Sequence, residues 1–367
     1  MLIFTFYFFI VIIVIQSFYY LIVFTKFSFY KSQPVTSKKP PISVIVCAKN
    51  EEENVQKFIP ILLKQDYPNF EVVLIDDASR DETLEVFEEF EKNFKNVKLV
   101  KVENNEAFWG NKKFALTLGI KAAKHDNLLF IDADCYPKST QWIDEVASHF
   151  TDDKTIVLGY GAYEKSNSFL NKIIRFETML TATQYFSWAK FGKPYMGVGR
   201  NLAYNRREFF NNNGFVDHIK IRSGDDDLFI NQAADAQNTT LCCSPESFTI
   251  SNPKTSFKEW IKQKRRHVAT ANYYKKFDKM QLSLFYFSQM AFVLLSVFLV
   301  ISNYQWIIIL SLILFRYLLA WIVLGFSAAK LKEKDVMFWF PVIEITLIFT
   351  QFYIFIINIF SKPVHWK

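Results

Sequence analysis

The chain has 367 residues, of which 51% are hydrophobic and 18% aromatic, and its formal net charge is +7. A chain of this length accommodates two or three domains. Its apolar excess is concentrated at the two ends, and basic residues flank those ends without forming a basic domain. The charge therefore favours contact with a membrane surface and argues against a nucleic-acid-binding protein.

The first predicted element is the uncharged segment 1–25, which is long enough to span a bilayer. It has neither a basic n-region nor a small-residue cleavage site, so we expect an uncleaved anchor and no signal peptide. Three further spans are predicted at roughly 282–302, 304–326 and 336–360. Lysines lie on one side of these spans, and the positive-inside rule then predicts a multi-pass protein of the plasma or inner membrane whose middle part is cytosolic.

From Ile42 onward, strand and helix patterns alternate. Strands are predicted at 42–47, 71–75, 97–102 and 128–131, and helices at 51–64, 81–94 and 112–124. This alternation predicts an α/β domain with a mostly parallel sheet and right-handed crossovers. The cysteines Cys47, Cys135, Cys242 and Cys243 have no zinc-site spacing, and we expect free thiols.

Polar side chains follow three of the predicted strands, after Cys47, after Ile75 and after Ile131. The carboxyl ends of parallel strands form the ligand-binding edge of such a sheet. The last of them ends in Asp132 and Asp134, and paired carboxylates suit a divalent cation that carries phosphates, although an Asp-x-Asp alone is also common in surface turns. Neither a G-x-G-x-x-G nor a P-loop sequence occurs, which disfavours dinucleotides and P-loop chemistry. A nucleotide diphosphate bound through base, ribose and metal fits better.

Six short motifs occur in a characteristic order. They are Ala48-Lys-Asn-Glu51, Ile75-Asp-Asp-Ala-Ser79, Lys112-Lys-Phe-Ala-Leu116, Asp132-Ala-Asp134, Gly224-Asp-Asp-Asp-Leu228 and Gln263-Lys-Arg-Arg-His267. Over about Pro41 to Lys279 the chain resembles the family 2 glycosyltransferases of GT-A fold. The flanking spans are similar to those of the membrane-bound branch, which includes ceramide glucosyltransferases and hyaluronan synthases. The resemblance implies a Rossmann-like, mostly parallel sheet with one N-terminal and about three C-terminal transmembrane helices.

The resemblance also implies the domain organisation. It comprises a transmembrane anchor (1–25), a linker (26–41), a GT-A catalytic domain (42–255), an amphipathic interfacial helix with the Q-x-x-R-H element (256–280) and three transmembrane helices (281–367).

Each motif then has an implied role. Ala48 and Glu51 would line the nucleotide site, and Asp77, together with Asp76, would reach the base or the ribose. Lys112 would lie near the donor. Asp134, supported by Asp132, would hold Mg²⁺ or Mn²⁺ on the diphosphate.

The remaining roles concern catalysis. Either Asp225 or Asp226 would be the general base, with Asp225 preferred. Arg266, assisted by Gln263 and His267, would contact the diphosphate. His267 replaces the family's usual Trp, which argues against a processive polymer synthase. Arg200 and Asn201 would touch the donor or the acceptor, and for Arg200 a structural capping or pairing role is the alternative.

The implied function is a membrane-bound inverting glycosyltransferase. Its partners would be a nucleotide-diphosphate sugar, with UDP favoured, and a lipid or lipid-linked glycan acceptor at the cytosolic membrane face. Two alternatives stay open: a processive polysaccharide synthase, and a non-catalytic membrane-tethered scaffold.

Two charges fall inside predicted spans, Arg316 in the third and Glu344 in the fourth. Intramembrane charges are costly and usually have a partner. Counted by helix rise from the shared loop, the two residues lie at similar depths, so we predict that they form a structural salt bridge. Contact with an acceptor lipid or glycan is the alternative.

Overall fold

The computed structural model describes residues 1–31, 38–103, 112–221 and 223–361 of the chain. They form two compact units. The helical unit contains 1–31, 167–191 and 255–361. The sheet unit contains the described residues between 38 and 166 together with Gly192–Lys254.

The strands lie in the sheet unit. In chain order they are β1 (Ile42–Ala48), β2 (Phe70–Asp76), β3 (Val97–Lys101), β4 (Asn127–Asp132), β5 (Cys135–Pro137), β6 (Ile156–Leu158), β7 (Gly161–Tyr163), β8 (Leu202–Asn205), β9 (Thr239–Leu241) and β10 (Thr249–Ser251).

Helices occur in both units. In chain order they are α1 (Leu2–Phe18), α2 (Thr25–Ser28), α3 (Glu52–Leu63), α4 (Thr83–Asn93), α5 (Lys112–Ala122), α6 (Trp142–Ala147), α7 (Phe169–Lys190), α8 (Arg206–Asn211), α9 (Asp227–Ala233), α10 (Phe257–Thr270), α11 (Lys276–Ile301), α12 (Trp306–Lys330) and α13 (Phe340–Phe360).

The main sheet has seven strands in the order β3-β2-β1-β4-β8-β6-β9. The first four are parallel, and β8 is antiparallel to both β4 and β6. A smaller sheet has the order β5-β10-β7. The predicted α/β fold with a mostly parallel sheet is confirmed, and the four strands predicted from apolar runs lie side by side at its parallel end.

The apolar runs of β1, β2 and β4 form the core of the sheet unit because helices cover both faces of a parallel sheet. Val44, Leu74 and Leu129 are fully buried in it. Ala48 and Asp76 are partners at the carboxyl ends of β1 and β2, and Cys47 is opposite Asp132 of β4. The register therefore brings the polar residues after these three strands to one edge.

Among the described residues, four helical segments are long and apolar enough to cross a membrane. They are Leu2–Ser28, Lys276–Ile301, Trp306–Lys330 and Lys334–Phe360. One is N-terminal and three are C-terminal, as predicted. The first contains a π-helical stretch, Tyr19–Phe24, between α1 and α2.

A buried polar cluster joins these helices, and the predicted pair of Arg316 and Glu344 is confirmed. The Arg316 guanidinium donates to both carboxylate oxygens of Glu344, at 2.6 and 2.7 Å. It also donates to Gln16 Oε1 at 2.8 Å and to Tyr20 Oη at 3.1 Å, and Gln289 Nε2 donates to Glu344 at 3.3 Å. We call these five residues the helical polar cluster.

The helical unit also contains α7, although its sequence lies between strands β7 and β8. Arg175 of α7 is buried and pairs with Glu333 and Asp335 in the loop after α12. Near α10, the helix predicted over 256–280 is interrupted. α10 ends at Thr270, a 3₁₀ turn covers Ala271–Tyr273, and α11 begins at Lys276 because Tyr274 is extended.

Candidate active site at the carboxyl edge of the sheet

The loops after β1 and β2 are tied together. Asp77 N–H donates to Ala48 O at 2.9 Å, and Asn50 N–H donates to Ser79 Oγ at 3.0 Å. Asn50 and Ala78 have left-handed φ values of 55° and 52°, a conformation that costs energy in a residue with a side chain. Such strain occurs where the surrounding structure fixes the backbone, as it does at ligand sites.

The two loops carry three of the predicted nucleotide-binding carboxylates. Asp76 and Asp77 are buried, and Lys49 Nζ lies 3.5 Å from Asp77 Oδ2. Glu51 is half-buried and accepts a hydrogen bond from Asn54 Nδ2 at 2.6 Å. Burial raises the pKa of Glu51 and of Asp77. The loops therefore hold acceptor groups in a shielded recess, where hydrogen bonds from a base or ribose would be strong.

The Asp-Ala-Asp turn links the two sheets. Asp132 ends β4, and Cys135 begins β5 directly after Asp134. One ligand atom from each of Asp132, Asp134 and Cys135 lies within 4.8 Å of the others. Burial and the Asp132 carboxylate raise the pKa of Asp134. Two neighbouring carboxylates, one of which disfavours the charge of the other, fit a divalent cation, which would neutralise both.

Lys112 connects this turn to the carboxylates after Gly224. Its Nζ lies 2.8 Å from Asp132 Oδ1 and 3.1 Å from Asp225 Oδ2. Burial opposes the charge, but the two carboxylates outweigh it and hold the pKa of Lys112 well above its usual value. The structure thus brings together Lys112, Asp132 and Asp225, three residues far apart in the sequence.

The three aspartates after Gly224 have different surroundings. Gly224 has a φ of 85°, which a residue with a side chain would adopt only with strain. Asp226 caps α9: its Oδ1 accepts from Asp227 N–H at 2.8 Å and its Oδ2 from Gly199 N–H at 2.6 Å. Burial, Asp227 and Asp225 raise the pKa of Asp226 to about 8. Asp226 therefore has backbone donors on both oxygens and a carboxyl group whose charge its surroundings disfavour.

Arg200 and Asn201, which are adjacent in the chain, also have different surroundings. Asn201 is buried and bonds Trp142 Nε1, Tyr160 O and Ser247 O. Its amide is therefore used within the protein. Arg200 is half-buried. Its guanidinium stacks 4.3 Å from the centre of the Tyr163 ring and donates to Ser251 Oγ at 3.3 Å.

Three predicted site residues belong to the helical unit. Gln263, Arg266 and His267 are on α10 of the helical unit, with Arg266 and His267 on adjacent positions of its last turns. Burial lowers the pKa of Arg266. Their contact with a diphosphate stays a prediction.

Both the sequence and the fold of this chain resemble those of known proteins. Residues 43–218 match the family model described as glycosyl transferase family 2. This range, slightly less than half of the chain, belongs to glycosyl transferase family 2. The matched range contains β2, β4, Lys112, the Asp-Ala-Asp turn and all of β1 except Ile42.

Two curated relatives and one solved structure illustrate the similarity. Glycosyltransferase AglE of Haloferax volcanii is 31% identical over 116 residues, which are 31% of this chain and 36% of that protein. The UDP-Glc:alpha-D-GlcNAc-diphosphoundecaprenol beta-1,3-glucosyltransferase WfaP of Escherichia coli is 24% identical over 129 residues, 35% of this chain and 48% of that protein. The alignments thus span less than half of either relative.

Among solved structures, the mannosyltransferase PcManGT of Pyrobaculum calidifontis, determined with GDP-Man and Mn²⁺, superposes with a TM-score of 0.56. It is 16% identical, and the superposition covers 91% of this chain and 98% of that one. At this identity the likeness concerns the fold alone, and it confirms the predicted GT-A fold.

Sequence reasoning did not anticipate two residues of this region. Cys135 joins the candidate metal group, and its position directly after Asp134 was the available signal. Lys113, the neighbour of Lys112, points to a different part of the sheet unit. The sequence shows the lysine doublet but not which member faces which way.

Proposed function

We propose that this glycosyltransferase moves a sugar from a nucleotide-diphosphate donor, with UDP favoured, to a lipid or lipid-linked acceptor at the cytosolic face of a membrane. The observation that carries the proposal is the Lys112 bridge. It joins the Asp132 carboxylate of the candidate metal group to Asp225, the candidate base, through contacts of 2.8 and 3.1 Å.

The donor half of the proposed site is formed by two groups of residues. Asp76, Asp77 and Glu51 would accept hydrogen bonds from the base and ribose in the recess after β1 and β2. Asp134, supported by Asp132, would hold Mg²⁺ or Mn²⁺, and a divalent cation there would supply charge stabilisation to the departing diphosphate. Lys112 would add a fixed positive charge beside it.

Asp225 is the better candidate for the base. Both oxygens of Asp226 accept backbone N–H groups, and its surroundings disfavour its charge. Asp225 instead faces the Lys112 ammonium, whose Nζ lies 3.1 Å from Asp225 Oδ2. The Asp225 carboxylate would take the proton of the acceptor hydroxyl while that oxygen bonds to the anomeric carbon. The bond to the diphosphate breaks on the opposite face, which inverts the configuration.

The acceptor assignment rests on the apolar helices. Four helical segments are able to span a membrane, and WfaP is named for a diphosphoundecaprenol-linked acceptor. The basic residues beside the spans support a cytosolic sheet unit. The side chains of the helical polar cluster bond one another, and Arg316 and Glu344 are 1% and 2% exposed. A cluster whose polar groups bond one another supports the transfer of a single sugar rather than the export of a growing polysaccharide along a polar path.

The full-length protein, purified with lipid, can be incubated with Mn²⁺ and a panel of UDP- and GDP-sugars. We expect release of UDP or GDP with one of them, and mass analysis of extracted lipids should show the added sugar. Asp134→Ala and Asp225→Ala are expected to abolish turnover, while Asp152→Ala, an exposed aspartate of the same unit, leaves it intact. Wild-type activity in both site variants would refute the assigned site, and a wild-type protein that releases no UDP or GDP from any sugar would favour the scaffold.

A further inference from the structure

The adjacent lysines at the start of α5 have different environments. Lys112 faces the open edge site, whereas Lys113 is 1% exposed. The Lys113 ammonium donates to two backbone carbonyl oxygens, those of His218 at 2.8 Å and Ile221 at 2.9 Å. Lys113 thus connects α5 to the segment 216–221, which precedes Asp225 in the chain.

A lysine is an unusual choice for an interior position. An ammonium group loses its hydration on burial, and an apolar side chain could fill the same space without that loss. Burial lowers the pKa of Lys113 to about 8, although Asp225, Asp227 and Asp226 oppose the decrease. An apolar side chain could not donate hydrogen bonds to the two carbonyl groups.

Other hydrogen bonds also hold the described residues of this segment. It contains the 3₁₀ turn Val216–His218, and Ile221 N–H donates back to His218 O at 3.0 Å. The His218 side chain is 7% exposed, and its Nε2 makes no hydrogen bond within the described part of the chain. On the other side of the turn, Gln232 Nε2 donates to Asp217 Oδ2 at 2.9 Å.

The Lys113 contacts are placed where they affect the candidate base. Ile221 lies four positions before Asp225, and Asp225 must remain near Lys112, 3.1 Å away. Lys112 and Lys113 belong to one helix, so α5 holds Asp225 directly through Lys112 and holds the segment leading to it through Lys113.

We infer that Lys113 is a positioning residue, which fixes the segment 216–221 and thereby keeps the Asp225 carboxylate at its working place. The inference rests on the proposed function, in which Asp225 is the base. It assigns Lys113 no contact with substrate. A shift of about 1 Å in a catalytic group can reduce the rate by about 10²-fold, so a loosened segment should affect turnover more than donor binding.

The test uses the full-length protein with Lys113→Met and Lys113→Arg. In Lys113→Met we expect kcat to fall by about 10²-fold, with the KM for the donor and the affinity for UDP with Mn²⁺ nearly unchanged. Arginine can donate to both carbonyls, so Lys113→Arg should recover most of kcat. Lys121→Met, on an exposed position of α5, is the matched control and should behave as wild type.

Hydrogen exchange supplies a readout that does not need activity. Amides of 216–221 should exchange faster in Lys113→Met than in wild type, and those of β1 should not change. If Lys113→Met does not fold, Lys113→Gln, which can still donate to one carbonyl, replaces it and should show the same changes to a smaller degree.

Two results would overturn the inference. One is a Lys113→Met protein with wild-type kcat, and the other is a slower protein in which exchange at 216–221 is unchanged. If wild type transfers no sugar from any donor, the proposed function fails. The exchange data then still decide whether Lys113 fixes the segment.

Discussion

Two of the clusters of ionic side chains in the described part of the chain differ in one respect. In the sheet unit, Lys112 bridges Asp132 and Asp225, with side-chain exposures of 20%, 37% and 15%. In the helical unit, Arg316 and Glu344 are 1% and 2% exposed, and the rest of the helical polar cluster bonds them.

The difference indicates what each cluster can do. The charges of the edge cluster are partly hydrated, so a ligand can replace water and compete for them without breaking the fold. The charges of the helical polar cluster satisfy one another, and a ligand would have to disrupt that network to reach them. The first arrangement suits binding and catalysis, and the second suits joining helices.

The largest expected effect comes from the base. Asp225→Asn removes the proton acceptor and keeps the side-chain volume, so turnover should fall by about 10²–10⁴-fold. Initial rates of UDP or GDP release measure this, and nucleotide binding should be retained. Asp226→Asn is the neighbouring comparison: asparagine caps helices well and can still accept one of the two backbone N–H groups, so it should cost less than Asp225→Asn. A reversed order of the two variants would make Asp226 the base.

The next effect concerns stability in the helical unit. Glu344→Gln leaves the Arg316 charge buried without its partner, which typically costs about 3–5 kcal/mol. Thermal unfolding in one lipid mixture should show a clear loss of stability. The double variant Arg316→Met with Glu344→Leu removes both charges and should recover most of it.

That pair of variants also decides between the two roles of the helical polar cluster. In the structural role, protein that remains folded keeps its turnover with a lipid acceptor. If the double variant is as stable as wild type but transfers nothing to a lipid, the cluster contacts the acceptor.

The last expected effect is a pH dependence of stability. The folded-state pKa of Asp226 is raised to about 8. Between its unfolded value, about 4, and about 8, the folded state holds a proton that the unfolded state releases, so the contribution to stability falls as pH rises. Wild type should therefore lose stability relative to Asp226→Asn from pH 5 to pH 9, measured by thermal unfolding without divalent metal. An equal slope in both proteins would contradict the raised pKa.

Much of the edge site followed from the sequence because parallel strands place their carboxyl ends together. The apolar runs of β1, β2 and β4 located the carboxylates of Asp76, Asp77, Asp132 and Asp134. Helix rise brought Arg316 and Glu344 to depths that differ by no more than the length of an arginine side chain. These predictions depend only on periodicity and on the regular geometry of strands and helices.

Other features depend on rotation and packing, which the sequence does not display. Lys112 and Lys113 are identical residues about 100° apart on a helix, and only the packing of α5 decides which one is buried. Asn201 is adjacent to Arg200, yet its amide bonds internal groups. α7 lies between two strands of the sheet unit in sequence and still belongs to the helical unit.

The central claim is that the edge cluster binds a metal–nucleotide complex. Titration calorimetry of UDP and GDP into the full-length protein, with and without Mn²⁺, tests it most directly. We predict that one nucleotide binds only with Mn²⁺ and that Asp134→Ala weakens this binding by at least about 10-fold, while Asp152→Ala does not. Equal binding in wild type and Asp134→Ala, or binding that does not require a divalent cation, would contradict the claim.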